Sequence, residues 1–265
     1  MIAVVEVERW KQKTLLEKIK LRLRRYAPTE EKRQSPWGDY RVLRVCDRRV
    51  RWDQLEKVVQ RGVYFLLPKS LTAPEGFPAF SAQSWEEVFF HQAANALLSQ
   101  LDCPMSGRRI ILADRKGTRQ SWLREWIFCS PAFTLISERE NLRQALAKEL
   151  LEEYGVVLLH GESLPKHSSG LLLDPEGWLR PWRGFQGIIL TAVSERGKGI
   201  CLEPSPLVFG DWSLPEGISP QDFLAACFQE GWLSLEEIPC QGRQNGASFG
   251  WSELVRLSSE GCLDR

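Results

Sequence analysis

Residues Asp114, Arg115, Lys116, Gly117 and Thr118 stand between an apolar run, RRIILA at 108–113, and the opening of a helical pattern. A carboxylate, two cations, a glycine and a hydroxyl in one short turn can hold an anion with the backbone amides of a helix start. The same residue types can instead close the turn on themselves, with Thr118 capping the helix and Asp114 and Glu138 paired to a nearby Lys or Arg. Two further sets end apolar runs that alternate with helical patterns: Ser137 and Glu138 after AFTLI, then His160, Gly161 and Glu162 after VVLL. In a parallel sheet all three positions share the carboxyl edge, where open α/β sheets bind ligands. Asp114, Lys116, Gly117, Thr118, Glu138 and His160 are therefore the candidate ligand edge. Lys116 and the amides near Thr118 would grip an anion and Glu138 a hydroxyl, and His160 would be a general base or a hydrogen-bonded structural histidine.

The layout follows a dinucleotide-binding unit in one respect: Glu138 lies 24 residues after Asp114, close to where an acidic residue holds ribose hydroxyls. The glycines do not follow. With the first glycine of GxGxxG set on Asp114, Lys116 and Arg119 take the other two positions. Bulky ionic groups then fill the bend where bare backbone must approach a pyrophosphate, and Asp114 adds a like charge. Ordinary dinucleotide binding is not expected, although the fold that carries it is. The loop also resembles the first motif of the haloacid dehalogenase phosphatases, a strand followed by DxDGT, with Asp114 at the nucleophile and Ser137 ending the next strand. Lys116 replaces the second Asp of that motif, and Gly210-Asp211 lacks the Asp that would follow it. The resemblance therefore covers five residues and implies no complete phosphatase site.

Other patterns carry less. GASFG, Gly246 to Gly250, matches GxSxG, yet QGRQN rather than a buried strand precedes Ser248 and no histidine follows, so a glycine-rich turn is expected. Cys46, Cys103, Cys129, Cys201, Cys227, Cys240 and Cys262 include no CxxC pair, and His91, His160 and His167 are the only histidines. Reduced thiols, a cytoplasmic location and no structural metal site are expected. WLRPWRGF, Trp178 to Phe185, interleaves rings and arginines as single-strand nucleic-acid platforms do, but cross-strand packing in a hairpin uses the same rings.

These residues need elements to hold them. IAVVEV at 2–7 reads as a strand, and Trp10 to Tyr26 as a basic helix with Leu15, Ile19 and Leu23 on one face, ended by Pro28. TEEKRQSPWGD reads as a polar linker, YRVLRVC as a strand, Asp53 with Glu56 as a helix start, and VYFLL as a strand closed by Pro68. Residues 1–68 thus form a small basic α/β unit, 69–83 a Pro- and Gly-containing linker, and 84–265 a Rossmann-like domain with a hairpin and helices after its sheet. Its first helix, capped by Ser84 and Glu87, has Trp85, Val88, Phe89, Ala96 and Leu97 as its apolar face. Strands RRIILA, AFTLIS and VVLLH alternate with helices over about 118–128 and 139–154; the second has Leu142, Leu146 and Leu150 in line and stops at Gly155. Short continuous apolar strands between helices are the pattern of a parallel sheet buried on both faces. LLLDPEGWLR then reads as a hairpin, GIILTAV and GICLE as strands, and ISPQDFLAACFQEG as a helix with Pro at its first position. The fold class is α/β: a mostly parallel sheet with flanking helices, a small α/β unit before it, and a hairpin and helices after.

The chain has 35 Lys and Arg against 34 Asp and Glu, but residues 1–51 hold 15 against 7, a balance of +8 set against −7 over the rest. The charge can meet a protein partner, a second copy or the acidic body itself; nucleic acid is not favoured, because no recognised motif accompanies it. The opening apolar run is broken at Glu6 and Glu8, too short for export or membrane insertion. No residue set assembles a complete reaction, so a non-catalytic binding or interaction module is expected. The alternative is an enzyme or sensor for a small anionic or nucleotide-like ligand at the strand ends, with its cofactor unassigned.

Overall fold

A computed structural model of the chain describes residues 1–8, 14–22, 28–46, 50–58, 63–82, 85–164, 168–179, 185–193 and 199–263. Contacts divide the chain into two units, Met1–Gln83 with Pro206–Ile238, and Ser84–Ser205 with Pro239–Arg265.

The first unit contains β1 (Ile2–Glu8), α1 (Leu15–Arg22), β2 (Thr29–Gln34), β3 (Asp39–Cys46), α2 (Trp52–Val58) and β4 (Tyr64–Leu66). Its sheet has the order β2-β3-β1-β4, with β1 parallel to β3 and β4 and β2 antiparallel on the edge. Alternation along β1 explains its unbroken IAVV run. Ala3 and Val5 join Leu43, Val45, Leu55, Phe65 and Phe77 in one core. Ile2, Val4, Tyr40 and Val42 point to the other face, where Tyr40 meets the rings of Trp212 and Phe223. Both faces are thus buried, the second by residues 206–238.

Three expectations change here. TEEKRQ is not linker but strand β2, an edge whose charged residues pair across the ladder: Arg33 with Glu6 at 2.6 Å, Arg44 with Glu31 at 2.6 Å. An exposed edge has no apolar alternation to betray it. Residues 69–82 are not a free linker either, because Phe77 enters the core and Phe80 N–H donates to Phe65 O at 2.8 Å. The expected continuous domain over 84–265 is interrupted where 206–238 returns to the first unit. In α1, Leu15 and Ile19 are exposed rather than packed; Trp10, Leu23 and Tyr26 lie outside the described residues.

The second unit runs α3 (Trp85–Ser99), β5 (Arg109–Ala113), α4 (Gln120–Trp126), β6 (Ala132–Ile136), α5 (Glu140–Tyr154), β7 (Leu159–Gly161), β8 (Ser169–Leu173), β9 (Gln186–Thr191) and β10 (Ile200–Pro204). The chain then contributes α6 (Pro220–Gln229) to the first unit and returns as β11 (Cys240–Gln244), β12 (Ala247–Phe249) and α7 (Trp251–Cys262). The sheet order is β12-β11-β10-β9-β8-β5-β6-β7. β5 to β10 are mutually parallel, β11 runs antiparallel to β10, and β12 runs antiparallel to β11. Numbered from β5, the parallel strands stand in the order 3-2-1-4-5-6, the Rossmann arrangement, with the reversal between β5 and β8. α5 ends as expected on Gly155, at φ 67.

Here too the structure corrects details. β8 and β9 are parallel, so DPEG is a turn that leads into a crossover and not a hairpin. The hairpin joins β11 to β12 through Asn245-Gly246, at φ 50 and 82, the conformations a two-residue connection needs. Ser248 consequently lies on an edge strand rather than in a glycine turn. α3 is rotated from its expected face: Phe90, Ala93 and Ala94 are buried, Val88 is exposed and Ala96 half-buried. Ser84 lies outside the described residues, as do His167 and most of WLRPWRGF. Among the described residues no helix is long and apolar enough to cross a membrane.

Candidate functional site

The carboxyl edge at the β5/β8 reversal is built from two turns of the same design. Asp114 follows β5, extends its ladder by donating its N–H to Ile136 O at 2.9 Å, and is buried. Its Oδ1 accepts the N–H groups of Gly117 at 3.0 Å and Thr118 at 3.1 Å, and its Oδ2 that of Arg119 at 2.8 Å. The amides nominated for an external anion thus hold a carboxylate of the chain itself. Asp174 follows β8, donates its N–H to Leu190 O at 2.9 Å, and accepts from Trp178 at 3.2 Å and Leu179 at 3.0 Å. Each turn is Asp-x-x-Gly with the glycine in the left-handed region, Gly117 at φ 72 and Gly177 at φ 58. A Cβ at Gly117 would lie 2.0 Å from Cδ2 of Leu142 in α5, so the leucine tip would have to swing aside; the left-handed φ is what calls for glycine.

Side chains fasten the two turns together. The buried guanidinium of Arg119 reaches Asp114 Oδ1 at 3.3 Å, Glu176 Oε1 in the second turn at 3.1 Å and Glu87 Oε1 on α3 at 3.0 Å, with Cζ 5.4 Å from the Trp122 ring centre. Arg115 carries its Cζ 5.9 Å from the ring of Trp178 while its Nε pairs with Glu138 at 3.0 Å. The fastening continues outward. Arg143, buried in the first turn of α5, donates to Ser137 O and stands 3.6 Å from Glu162 at the end of β7. Four neighbouring strand ends, β7, β6, β5 and β8, are therefore tied by Arg143, Arg115 and Arg119.

The electrostatics of the two turns differ. Burial pushes the Asp174 carboxyl up to about 6; the amides of Leu179 and Trp178 oppose this and the neighbouring Glu176 adds to it. No cation contacts Asp174 among the described residues, whereas Asp114 has Arg119.

Each nominated residue now has a place. Asp114, Gly117 and Thr118 share one turn, but Thr118 is exposed and its side chain does not cap α4; the Asp114 carboxylate performs that role. Glu138 reaches the same turn through Arg115, at the expense of a free carboxylate for a ribose. Lys116 is exposed. His160 does not end a central strand: it sits inside β7, the sheet's edge, in register with Leu135 of β6, and is exposed. Arg119 belongs to the polar turn expected at this helix start, while Arg143, Asp174 and Glu176 were not foreseen as members of the edge. The repeated Asp-x-x-Gly after two apolar runs was the available signal for the second turn.

In a Rossmann site a pyrophosphate meets the amides that open the first helix; here those amides already donate to Asp114. Nor is Asp114 free to act as a phosphatase nucleophile, since both its oxygens accept backbone N–H groups. Burial pushes the thiols of Cys201, Cys227, Cys240 and Cys262 up to about 12, which keeps them protonated and poorly nucleophilic. Among the described residues no group of three or more His, Cys, Asp or Glu is placed to hold a metal ion.

No family model matches the chain, and no curated protein matches it in sequence. Among solved structures it is similar to a lysine cyclodeaminase, at 14% identity and TM-score 0.30 over 44% of this chain and 35% of that one. It is also similar to the Δ1-pyrroline-2-carboxylate reductase of Thermococcus litoralis, solved with NADH and L-proline, at 11% identity and TM-score 0.30 over 67% and 65%. The L-tryptophan dehydrogenase of Nostoc punctiforme follows at 10% identity and TM-score 0.29 over 74% and 63%. The chain spans less than two thirds of the length of each. The Rossmann-like assignment stands on the chain's own strand order.

Proposed function

We propose that this chain is a non-catalytic binding or interaction module, a Rossmann-like scaffold whose phosphate turn is closed by its own side chains. One observation carries the reading: the Asp114 carboxylate accepts the N–H groups of Gly117, Thr118 and Arg119, while Arg119 bridges to Glu176 across the strand-order reversal. An incoming phosphate would have to displace a buried carboxylate that is already hydrogen-bonded and ion-paired, an exchange with little to gain. The seven free cysteines suit the cytoplasm, where such a module would work. Its contact with a protein partner or a second copy would use its surface rather than the strand ends.

The test is a thermal-shift titration with NAD, NADP, their reduced forms and sugar phosphates. A ligand at 100 times its Kd adds about 2.7 kcal/mol of stability, which such an assay resolves. No shift is expected from the native chain, whereas Asp114→Ser, which empties the amide cradle, should gain a response to inorganic phosphate. A shift with the native chain that Lys116→Ala and Glu138→Ala abolish would establish instead an enzyme or sensor acting at this edge.

A further inference from the structure

We infer that α1 is a docking element for an anionic lipid surface, on which it lies flat without spanning the bilayer. The helix is short, and its described apolar side chains are exposed: Leu15 76%, Leu16 71% and Ile19 45%. The other helices of the same unit behave differently, since α2 buries Leu55 completely and α6 buries five consecutive residues from Phe223 to Cys227. A helix of eight residues gains little from its own hydrogen bonds in water, so an uncovered aliphatic stripe on it is a face awaiting a surface.

Charge identifies that surface. Between Arg9 and Arg25 the sequence carries eight Lys or Arg against one acid, Glu17. This is a balance of +7 that leaves −6 on the rest of a chain of net charge +1. At 100° per residue the helical register of α1 puts positions 18 and 22 on one flank of the Leu15-Leu16-Ile19 stripe and position 20 on the other. An exposed aliphatic stripe within a strongly basic stretch is the arrangement that seats a helix at the bilayer boundary, stripe toward the acyl chains and cations among the headgroups. Nucleic acid would use the cations but has no use for three exposed aliphatic side chains.

The test is co-sedimentation of the full chain with vesicles of equal parts phosphatidylglycerol and phosphatidylcholine, and with phosphatidylcholine alone. Binding is expected only to the anionic vesicles, weakening as added salt shortens the screening length. Leu16→Glu with Ile19→Glu and, separately, Lys18→Glu with Lys20→Glu should each reduce binding more than about tenfold. Leu16→Ser with Ile19→Ser is the milder version should the glutamates perturb folding, checked by circular dichroism. Failure to bind anionic vesicles overturns the inference. So does binding insensitive to the Leu16 and Ile19 variants, or binding to homopolymeric RNA that responds to the charge reversals alone. If sedimentation instead finds a dimer that the Leu16 and Ile19 variants dissociate, a second copy covers the stripe and the lipid assignment falls.

Discussion

The two Asp-x-x-Gly turns at the ends of β5 and β8 share a backbone design and differ in what answers their charge. The Asp114 turn opens a helix and receives a buried arginine; the Asp174 carboxylate, among the described residues, receives only amides. A buried carboxylate bound by a few N–H groups is thus a local solution available to any strand end, while an ion pair at the first turn also locks it to its neighbour. The first turn is therefore a structural knot and the second a group left on the verge of protonation.

The largest effect that would break this contrast is loss of the knot. Arg119→Leu strands Asp114 without its cation and releases Glu176, and it should cost about 3–5 kcal/mol in urea unfolding. The second effect belongs to Asp174. Its folded pKa of about 6 lies above the ordinary 3.8, so its contribution to stability is full below about pH 4 and is lost as pH rises through about 6. Relative to Asp174→Asn, the native chain should lose up to roughly 3 kcal/mol between those limits; parallel stability profiles for the two proteins would refute the buried, cation-free environment. The glycines sharpen the comparison further. Gly117→Ala and Gly177→Ala each force a Cβ into the left-handed region and should each cost about 1–2 kcal/mol, read from the shifts in urea midpoint. Last, Arg115→Ala removes a solvent-screened pair with Glu138 and should leave the melting temperature where it was.

Much of the architecture could be read from the chain because burial on both faces leaves a coarse trace. RIILA and AFTLI are continuous apolar runs, and they became neighbouring central strands. What stayed hidden is where polarity masks the element or where a side chain reverses its expected direction. β2 exposes nearly every residue, so its sequence is that of a loop. Asp114 stands at the end of β5 where the apolar run stops, but spacing alone does not show that its carboxylate folds back onto the amides beside it. The burial of Arg119 and Arg143 is not legible locally, because it depends on partners 57 and 19 residues distant, Glu176 and Glu162. The DPEG turn was recognised while its consequence was misjudged, since nothing in four residues distinguishes a reversal from a crossover.

The return of residues 206–238 to the first unit sets an order on biosynthesis. As the chain leaves the ribosome, β1 through β4 emerge early, yet Ile2, Val4, Tyr40 and Val42 cannot be covered until Trp212 and Phe223 have been made. Nascent chains shorter than about this point present a half-dressed apolar sheet, the kind of intermediate that chaperones retain and that aggregates when they do not.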